Sequence, residues 1–395
     1  MPSLIFRKGL DLKDAVAGEL AAAYHSHIVD AIRVAGHVRA SGRLTIHLAK
    51  EFGFCYGVDR AVDYAYQTRR KFPDKRVFLT GEIIHNPHVN DQLRERGIRL
   101  LTDPGEDPAT LGADDVVILP AFGVSIGELE RLTSTGCTLV DTTCGSVLNV
   151  WKNVRRYAQD GFTSVIHGKV SHEETRATAS QATQFPAAHY LIVRDEAEAQ
   201  RVCDYIRQGG DAAAFIAYFG PSASPGFDPD THLQRVGCAN QTTMLMSESL
   251  AIGEMLRGAM RDRHGEAELA TRLRAFDTIC SATQERQDAV VALLDEQALD
   301  LMVVIGGYNS SNTCNLARIC ADRVPTFHIA DPSCLESADA IRHRPIGAPS
   351  TASVTEVVTR VWLPAGQIRV GLTAGASTPN NIVGQVVERL EKLAE

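Results

Sequence analysis

The sequence lacks any apolar run long enough to span a membrane. Its longest apolar stretches, such as residues 116–120 and 301–305, fall far short of the roughly 20 residues that a spanning helix needs. The N-terminus also lacks the basic-then-apolar order of a signal peptide, and Asp11 and Asp14 are atypical of a transit peptide. We therefore expect a soluble, cytoplasmic protein.

A surplus of positive charge is absent too. Lys and Arg number 40 against 48 Asp and Glu, which gives a formal net charge of −8. This balance argues against a general binder of nucleic acid or anionic membranes, while it leaves room for a local pocket that binds a small anion. Hydrophobic residues make up 44% of the 395 residues and charged residues 22%, so the chain is globular, with two or three domains.

No Cys-x-x-Cys occurs among the nine cysteines, which argues against a zinc ribbon or a thioredoxin-type motif. An odd number of cysteines in a large acidic chain is also a poor disulfide framework. We expect most of these thiols to be small buried apolar groups.

What is present is a regular alternation of short apolar runs and helical patterns, which predicts an α/β protein with mainly parallel sheets. Residues 1–43 form an extension that carries one predicted amphipathic helix over residues 14–34, expected to serve in packing or in an oligomer contact. Loops are predicted at residues 103–115, 219–230 and 343–350. The predicted strands are residues 44–48, 76–80, 116–119, 139–141, 163–167, 190–193, 213–218, 301–305, 326–329 and 368–372.

Three cysteines follow predicted strands and precede predicted helices. Cys144 and Cys280 each end an Asp-Thr-x-Cys tetrapeptide, and Cys55 lies in a looser version of the same arrangement. The carboxyl edge of a parallel sheet is where ligands bind, and a helix N-terminus favours a thiolate. We therefore predict that these three thiols act together.

Three converging thiolates suit an iron–sulfur cluster or a metal ion. Structural zinc usually takes four protein ligands, so zinc is the weaker alternative. A four-iron cluster with three cysteines has one iron without a protein ligand, and that iron can act as a Lewis acid. The pattern therefore favours a cluster that takes part in catalysis over one that only transfers electrons.

Polar loops follow several of the other strands, at residues 305–312, 372–379 and 240–243. One such loop alone is explained by helix capping, but several near the cysteines favour a diphosphate site. His85 and His172 can donate to a phosphate, and Glu174 can act as a general acid if a low-dielectric site raises its pKa.

Together these sequence motifs resemble those of the 4-hydroxy-3-methylbut-2-enyl diphosphate reductase family, also called LytB. The matching pieces keep the family's order across residues 44–390, and the ordered set is far more specific than any one piece. They are residues 53–61, 82–86, 93–97, 141–144, 172–174, 241–243, 277–284, 309–312 and 373–377.

The resemblance implies three α/β domains with mainly parallel sheets, in a pseudo-threefold arrangement around a central 4Fe–4S cluster. The corresponding boundaries are an extension over residues 1–43 and domains over residues 44–144, 145–275 and 276–395. The implied reaction is the reductive removal of the substrate hydroxyl as water, which gives isopentenyl and dimethylallyl diphosphates as the last step of the methylerythritol phosphate pathway.

The resemblance also implies roles for individual residues. One cluster per chain would be held by Cys55, Cys144 and Cys280, and its open iron would bind the substrate hydroxyl. Glu174 would deliver a proton and Thr242 would orient the hydroxyl and relay the proton. The substrate-binding candidates are His85, His172, Gln241, Thr243, Ser310, Ser311, Asn312 and Ser377. A ferredoxin or flavodoxin would supply electrons, and a homodimer is compatible with the sequence.

One position departs from the pattern of the family. Many members have a second phosphate-binding histidine before Gly-Val-Ser, where this chain has Phe122, whose ring cannot donate to phosphate. Phe122, the extension and the long connection over residues 219–240 resemble the longer cyanobacterial and plant branch. Two other readings remain open: a cluster-dependent hydro-lyase, which needs no external electrons, and a non-catalytic iron–sulfur sensor or carrier.

Overall fold

The computed structural model describes residues 4–275, 279–348 and 354–395. The predicted motif residues Asp277 and Thr278 and the end of the predicted loop 343–350 lie outside these ranges. The strands are β1 (Ile5–Phe6), β2 (Val38–Ser41), β3 (Leu44–Leu48), β4 (Val77–Leu79), β5 (Ile98–Leu100), β6 (Val116–Leu119), β7 (Thr138–Asp141), β8 (Thr163–His167), β9 (Tyr190–Val193), β10 (Val236–Asn240), β11 (Leu273–Ala275), β12 (Leu301–Ile305), β13 (Thr326–Ile329), β14 (Ala340–His343), β15 (Val357–Arg360) and β16 (Ile368–Ala374).

Helices alternate with most of these strands, as in other α/β proteins. The helices are α1 (Lys13–Tyr24), α2 (His27–Val34), α3 (Tyr56–Lys71), α4 (Pro87–Glu95), α5 (Ile126–Ser134), α6 (Gly145–Gln159), α7 (Glu173–Ala182), α8 (Glu196–Gln208), α9 (Ala212–Phe219), α10 (Pro229–His232), α11 (Met246–His264), α12 (Leu269–Arg272), α13 (Ser281–Glu296), α14 (Ser311–Ala321) and α15 (Asn380–Ala394). None of the described helices is long and apolar enough to cross a membrane.

Contacts divide the described chain into two compact units. The larger unit comprises Ile5–Ala121, Thr138–Thr142 and Ser281–Glu395, and the smaller one comprises Phe122–Cys137 and Thr143–Cys280, with Leu4. The predicted boundaries near residues 144 and 275 stay a prediction.

The larger unit contains two five-stranded sheets. One has the order β1-β7-β6-β4-β5 and is parallel throughout. The other has the order β13-β12-β16-β3-β2 and is parallel except at β2, which runs antiparallel to β3. The strands β14 and β15 form a separate antiparallel pair.

Strand β12 shows why a central strand of these sheets is apolar at every position. Leu301, Val303 and Ile305 join one buried cluster that includes residues of α2 and α15, whereas Met302 and Val304 join another that includes residues of α13 and α14. A parallel strand with helices on both faces buries every side chain, so it reads as a continuous apolar run rather than an alternating one.

The smaller unit contains one parallel sheet in the order β11-β10-β8-β9. One apolar cluster joins this sheet to α8 and α11 through residues such as Val165, Val202 and Leu256. Another includes Val150 of α6 together with Ala239 of β10. The described part of the chain thus has three mainly parallel sheets, which confirms the predicted α/β class with mainly parallel sheets.

One predicted strand is wrong. Residues 213–218 lie in helix α9, because Asp211 caps its N-terminus and accepts hydrogen bonds from the backbone nitrogens of Ala213 and Ala214 at 2.9 and 3.1 Å. Phe215 and Phe219, four residues apart, are both buried, which places them on one helical face. The run is apolar over its whole length, and periodicity cannot distinguish a buried strand from a short buried helix.

The N-terminal extension contains two helices where one was predicted. Helix α1 ends at Tyr24, and the Ser26 hydroxyl accepts from Val29 N at 3.3 Å to start α2. The extension packs into the larger unit: β1 pairs with β7, and the Tyr66 hydroxyl of α3 donates to that of Tyr24 at 3.1 Å.

Candidate active site

Exposure separates the nine cysteines into two groups. Cys55, Cys144 and Cys280 are partly exposed. The other six are buried: Cys137, Cys203, Cys238, Cys314, Cys320 and Cys334. The three predicted ligands are therefore the three whose side chains are not enclosed in the core.

Burial makes several of the remaining thiols unsuitable as ligands. It raises the pKa of Cys203 to about 11 and that of Cys238 and Cys320 to about 12. A metal or cluster ligand must be a thiolate, and these groups stay protonated at neutral pH.

Each of the three predicted ligands lies at the start of a helix. Cys55 is the N-cap residue of α3 and Cys144 that of α6, and in neither case does the sulfur cap the helix. Cys280 directly precedes α13. The positive end of a helix dipole stabilises a thiolate, so the donor set is chemically suited to iron.

Arg286 fixes the turn that carries Cys55, and it is a residue that sequence reasoning missed. This buried guanidinium donates to Gly53 O at 2.8 and 3.1 Å and to Phe54 O at 3.0 Å. Gly53 has a φ of +77°, which favours glycine. Cys55 N also donates to Ala376 O at 3.2 Å. Nothing in the local sequence near Cys55 points to a partner so distant along the chain.

In the smaller unit, Glu174 and Thr242 form a direct contact. Thr242 N donates to Glu174 Oε1 at 2.6 Å, and the glutamate is only 1% exposed. The carbonyl of Thr242 accepts from Cys280 N at 3.4 Å. The structure therefore brings the predicted proton donor, its predicted relay residue and one predicted cluster ligand together.

His172 is the N-cap residue of α7, and its Nδ1 accepts from Glu174 N at 3.2 Å. Because Nδ1 accepts, the proton of the neutral ring is on Nε2, which is then a donor. The ring of Phe122 meets that of His172 edge-on, with centroids 5.6 Å apart. Phe122 therefore contributes packing to His172.

Next to Phe122, Gly123 cannot carry a side chain without strain. Its φ is +72°, and an added Cβ would lie 2.4 Å from Cη2 of Trp151, whose indole donates to Thr178 Oγ1 at 3.1 Å. We expect Gly123→Ala to lower the free energy of unfolding by about 2 kcal/mol or more, since both strain and overpacking oppose it. Thermal and urea denaturation measure this.

The matched control is Gly253→Ala within α11, where an added Cβ meets nothing within 4 Å. Alanine there is expected to stabilise the protein by about 0.5–1 kcal/mol, because it restricts the unfolded chain. A Gly123→Ala protein that unfolds like the unsubstituted one would show that Trp151 moves aside at little cost.

Gln241 is fully buried, and its side chain cross-links the loop after β8. Its Oε1 accepts from Lys169 N at 3.3 Å and from Thr175 Oγ1 at 3.1 Å, and its Nε2 donates to Thr243 Oγ1 at 2.7 Å. These contacts support the loop that carries Thr242. The predicted substrate contacts of Gln241 and Thr243 stay predictions.

In the larger unit, the polar loops after β12 and β16 are joined to each other and to His85. Asn312 Oδ1 accepts from Ala376 N at 2.9 Å, and Ser377 Oγ donates to His85 O at 3.2 Å. Ser310 caps α14 by accepting from Thr313 N at 3.3 Å. Ser311 is buried beside it. These five positions therefore form one cluster of hydroxyl, amide and imidazole groups.

Glu82 is a second residue whose role sequence reasoning missed. Its Oε2 lies 2.9 Å from His85 Nδ1 and accepts from Asn309 Nδ2 at 2.8 Å. A carboxylate oxygen can only accept, so Nδ1 of His85 is the donor in this contact. The spacing of Glu82 three residues before His85 is the sequence signal that could have predicted this contact.

Comparison with known proteins shows the family of this chain. The family model "LytB protein" matches residues 46–391. The chain belongs to the LytB family. Two curated relatives carry the name 4-hydroxy-3-methylbut-2-enyl diphosphate reductase. The protein of Gloeobacter violaceus is 49% identical, over 98% of this chain and 92% of its own length. That of Synechococcus sp. strain RCC307 is 48% identical, over 98% of this chain and 94% of its own length.

Two solved structures have the same fold. The structure of an (E)-4-hydroxy-3-methyl-but-2-enyl diphosphate reductase aligns with a TM-score of 0.51 and 26% identity, over 88% of this chain and 99% of that chain. The corresponding reductase from Plasmodium falciparum aligns with a TM-score of 0.61 and 20% identity, over 87% and 86% of the two chains.

These findings confirm the family that the motifs indicated, and the full-length cyanobacterial matches agree with the predicted longer branch. The LytB family is known to carry a 4Fe–4S cluster. The three partly exposed cysteines at helix N-termini fit such a group.

Proposed function

We propose that the chain reduces (E)-4-hydroxy-3-methylbut-2-enyl diphosphate to isopentenyl and dimethylallyl diphosphates, the terminal step of the non-mevalonate pathway. Membership of the LytB family supports this activity. The observation that carries the chemistry is the Glu174–Thr242 contact of 2.6 Å, with Cys280 hydrogen-bonded to the same threonine. The two alternative functions explain less. A hydro-lyase would need no external electrons, and a sensor would leave Glu174 without a role.

We further propose that Cys55, Cys144 and Cys280 hold one 4Fe–4S cluster per chain, with one iron lacking a protein ligand. When bound, this cluster would supply a Lewis-acidic iron and electrons one at a time. The partial exposure of these three thiols and the burial of the other six support the assignment. Iron and acid-labile sulfide contents would distinguish it from a zinc site.

Glu174 is proposed to supply a proton in the reaction. Two electrons and two protons convert the C–OH bond of the substrate into a C–H bond and release water. Thr242 N holds Oε1 of the carboxyl group, so Oε2 is the oxygen assigned to carry the proton. Thr242 is proposed to orient the substrate hydroxyl. A ferredoxin or flavodoxin is the proposed electron donor, and a homodimer and a cytoplasmic location are proposed with it.

The diphosphate is proposed to bind His85, His172, Ser310, Ser311, Asn312 and Ser377. His172 offers Nε2–H in its neutral form, and His85 is oriented by the contact of its Nδ1 with Glu82. The buried Nδ2 of Asn312 has no acceptor within the part of the chain that the structure describes. An unsatisfied buried donor costs about 1–3 kcal/mol, and a phosphate oxygen would remove that cost.

The test is the anaerobic oxidation of a reduced viologen dye by the reconstituted protein, with and without 4-hydroxy-3-methylbut-2-enyl diphosphate. We expect oxidation that depends on the substrate, with both diphosphate products formed. A hydro-lyase would consume substrate without oxidising the dye. A sensor would do neither, and either result from a protein with a full cluster would overturn the proposal.

A further inference from the structure

Tyr308 is the first side chain of the loop that follows β12. The two residues before it are glycines whose backbone is closely enclosed. An added Cβ at Gly306, where φ is +147°, would lie 2.5 Å from Thr378 Oγ1, and one at Gly307 would lie 2.3 Å from His85 O. No side chain can therefore anchor the loop before Tyr308. The backbone of Gly307 lies against the backbone carbonyl of His85.

The hydroxyl of Tyr308 forms a short hydrogen bond to Glu356. It donates to Oε1 at 2.6 Å, and Oε2 of the same carboxylate accepts from Arg342 Nη1 of β14 at 2.6 Å. Arg342 also contacts Glu336 Oε1 at 3.2 Å, so the carboxylate is held in place by a strand. Burial and this hydrogen bond raise the pKa of Tyr308, which keeps its hydroxyl a donor at physiological pH.

The rest of Tyr308 is equally constrained. Its ring meets His328 edge-on, with centroids 5.2 Å apart, and its carbonyl accepts from Cys314 Sγ at 3.4 Å. Burial lowers the pKa of His328 to about 3, so this ring is neutral, and its Nε2 donates to Gly306 O at 3.0 Å. These contacts hold the loop in one place relative to β13, β14 and α14.

What lies beyond Tyr308 is the proposed diphosphate-binding segment. Asn309 donates to Glu82, the partner of His85, and Ser310 caps α14, which begins with Ser311 and Asn312. A displacement of Tyr308 would move Gly307 and Asn309, which both contact the stretch from Glu82 to His85. The polar groups of the loop and His85 would then no longer be held at fixed positions relative to each other.

We propose that Tyr308 and Glu356 are positioning residues for diphosphate binding, which act by fixing the loop from Gly306 to Ser310. This inference rests on the proposed function, because it concerns the same substrate. Neither residue needs to touch the diphosphate. Their hydrogen bond fixes the positions of Asn309 and the start of α14 before the ligand binds. Binding therefore has a smaller entropic cost, because the loop is already ordered.

The test is isothermal titration calorimetry of the holoprotein with inorganic diphosphate, together with steady-state kinetics. Tyr308→Phe removes one hydroxyl and keeps the ring against His328. We expect its Kd for diphosphate and its KM for the allylic substrate to rise about tenfold, the loss expected for a hydrogen bond to a charged group. We expect kcat to change less than about twofold, and the cluster absorbance to be unchanged, because the reacting atoms are not displaced.

A double-mutant cycle separates positioning from a general loss of stability. Glu356→Ala should weaken diphosphate binding at least as much as Tyr308→Phe does, because it also removes the contact with Arg342. The double variant should bind no more weakly than Glu356→Ala, since the hydroxyl of Tyr308 then has no carboxylate to lose. Tyr218→Phe is the matched control, because Tyr218 is 46% exposed in α9, where its ring contacts Phe219 and the Arg201 guanidinium. It should bind diphosphate like the unsubstituted protein.

The possible outcomes are distinct. If Tyr308→Phe binds diphosphate with unchanged affinity and shows an unchanged KM, the inference is wrong, even if the variant melts at a lower temperature. If the unsubstituted holoprotein binds diphosphate but does not turn over the allylic substrate, the proposed function fails, while the effect of Tyr308 on binding is still measured.

Discussion

Cys144→Ser is expected to lose the cluster without unfolding the protein. Cys144 is the N-cap residue of α6, and serine is among the best residues at that position. Serine is also a much poorer ligand for iron than a thiolate. We expect iron and sulfide contents near zero after anaerobic reconstitution, no visible cluster absorbance and no reductase activity.

The thermal stability of the apo protein is the second measurement. Because a serine hydroxyl can cap α6 where the sulfur does not, the apo Cys144→Ser protein should melt no lower than the unsubstituted apo protein. Cys280→Ser should lose the cluster in the same way. A Cys144→Ser protein that retains a full complement of iron and sulfide would remove Cys144 from the ligand set.

Cys320→Ala is the matched control for cluster loading. Its thiol is fully buried among Leu316, Met302 and Val304, and burial raises its pKa to about 12. Alanine at this position leaves a small cavity and should lower the melting temperature slightly. Iron, sulfide and activity per folded chain should match those of the unsubstituted protein.

Local patterns predicted the sheets well because their strands are continuous apolar runs with helices on both faces. Val116–Leu119 and Leu301–Ile305 are buried at every position, and each was predicted from its sequence alone. The same reasoning failed at residues 213–218, where an equally apolar run forms α9. The signal that decides this case is the capping Asp211, which precedes three alanines and makes a helix the better structure.

The candidate site shows a similar limit. The cysteines, Glu174 and the polar loops could be predicted as site residues because each belongs to a short motif at the end of a strand. Arg286 and Glu356 were missed, since their partners Gly53 and Tyr308 are far away in the sequence. Such contacts arise only when the fold brings distant segments together, so they support the motifs without belonging to them.

Glu174→Gln is expected to keep the cluster and lose turnover. Glutamine has nearly the same shape, and its amide oxygen can still accept from Thr242 N, so the 2.6 Å contact survives in weakened form. It cannot carry a transferable proton. General acid catalysis contributes about 10²–10⁴-fold to rates, and we expect kcat to fall by at least 10²-fold in the viologen assay.

Glu173→Gln is the control for this substitution, because Glu173 is the neighbouring glutamate at the start of α7 and its side chain is 48% exposed. It loses the same charge in the same helical turn, so it corrects for any effect of the helix dipole. We expect its kcat to stay within about twofold of the unsubstituted value. Both variants should show the cluster absorbance of the unsubstituted protein and a similar KM.

The two variants together decide what Glu174 does. A loss of kcat confined to Glu174→Gln, with the cluster intact, assigns the proton to this buried carboxyl group. Full activity in Glu174→Gln would show that the proton comes from elsewhere, and His172, whose Nδ1 contacts Glu174 N, would be the next residue to substitute. An equal loss in both variants would instead show that charge at the start of α7 matters, whichever residue carries it.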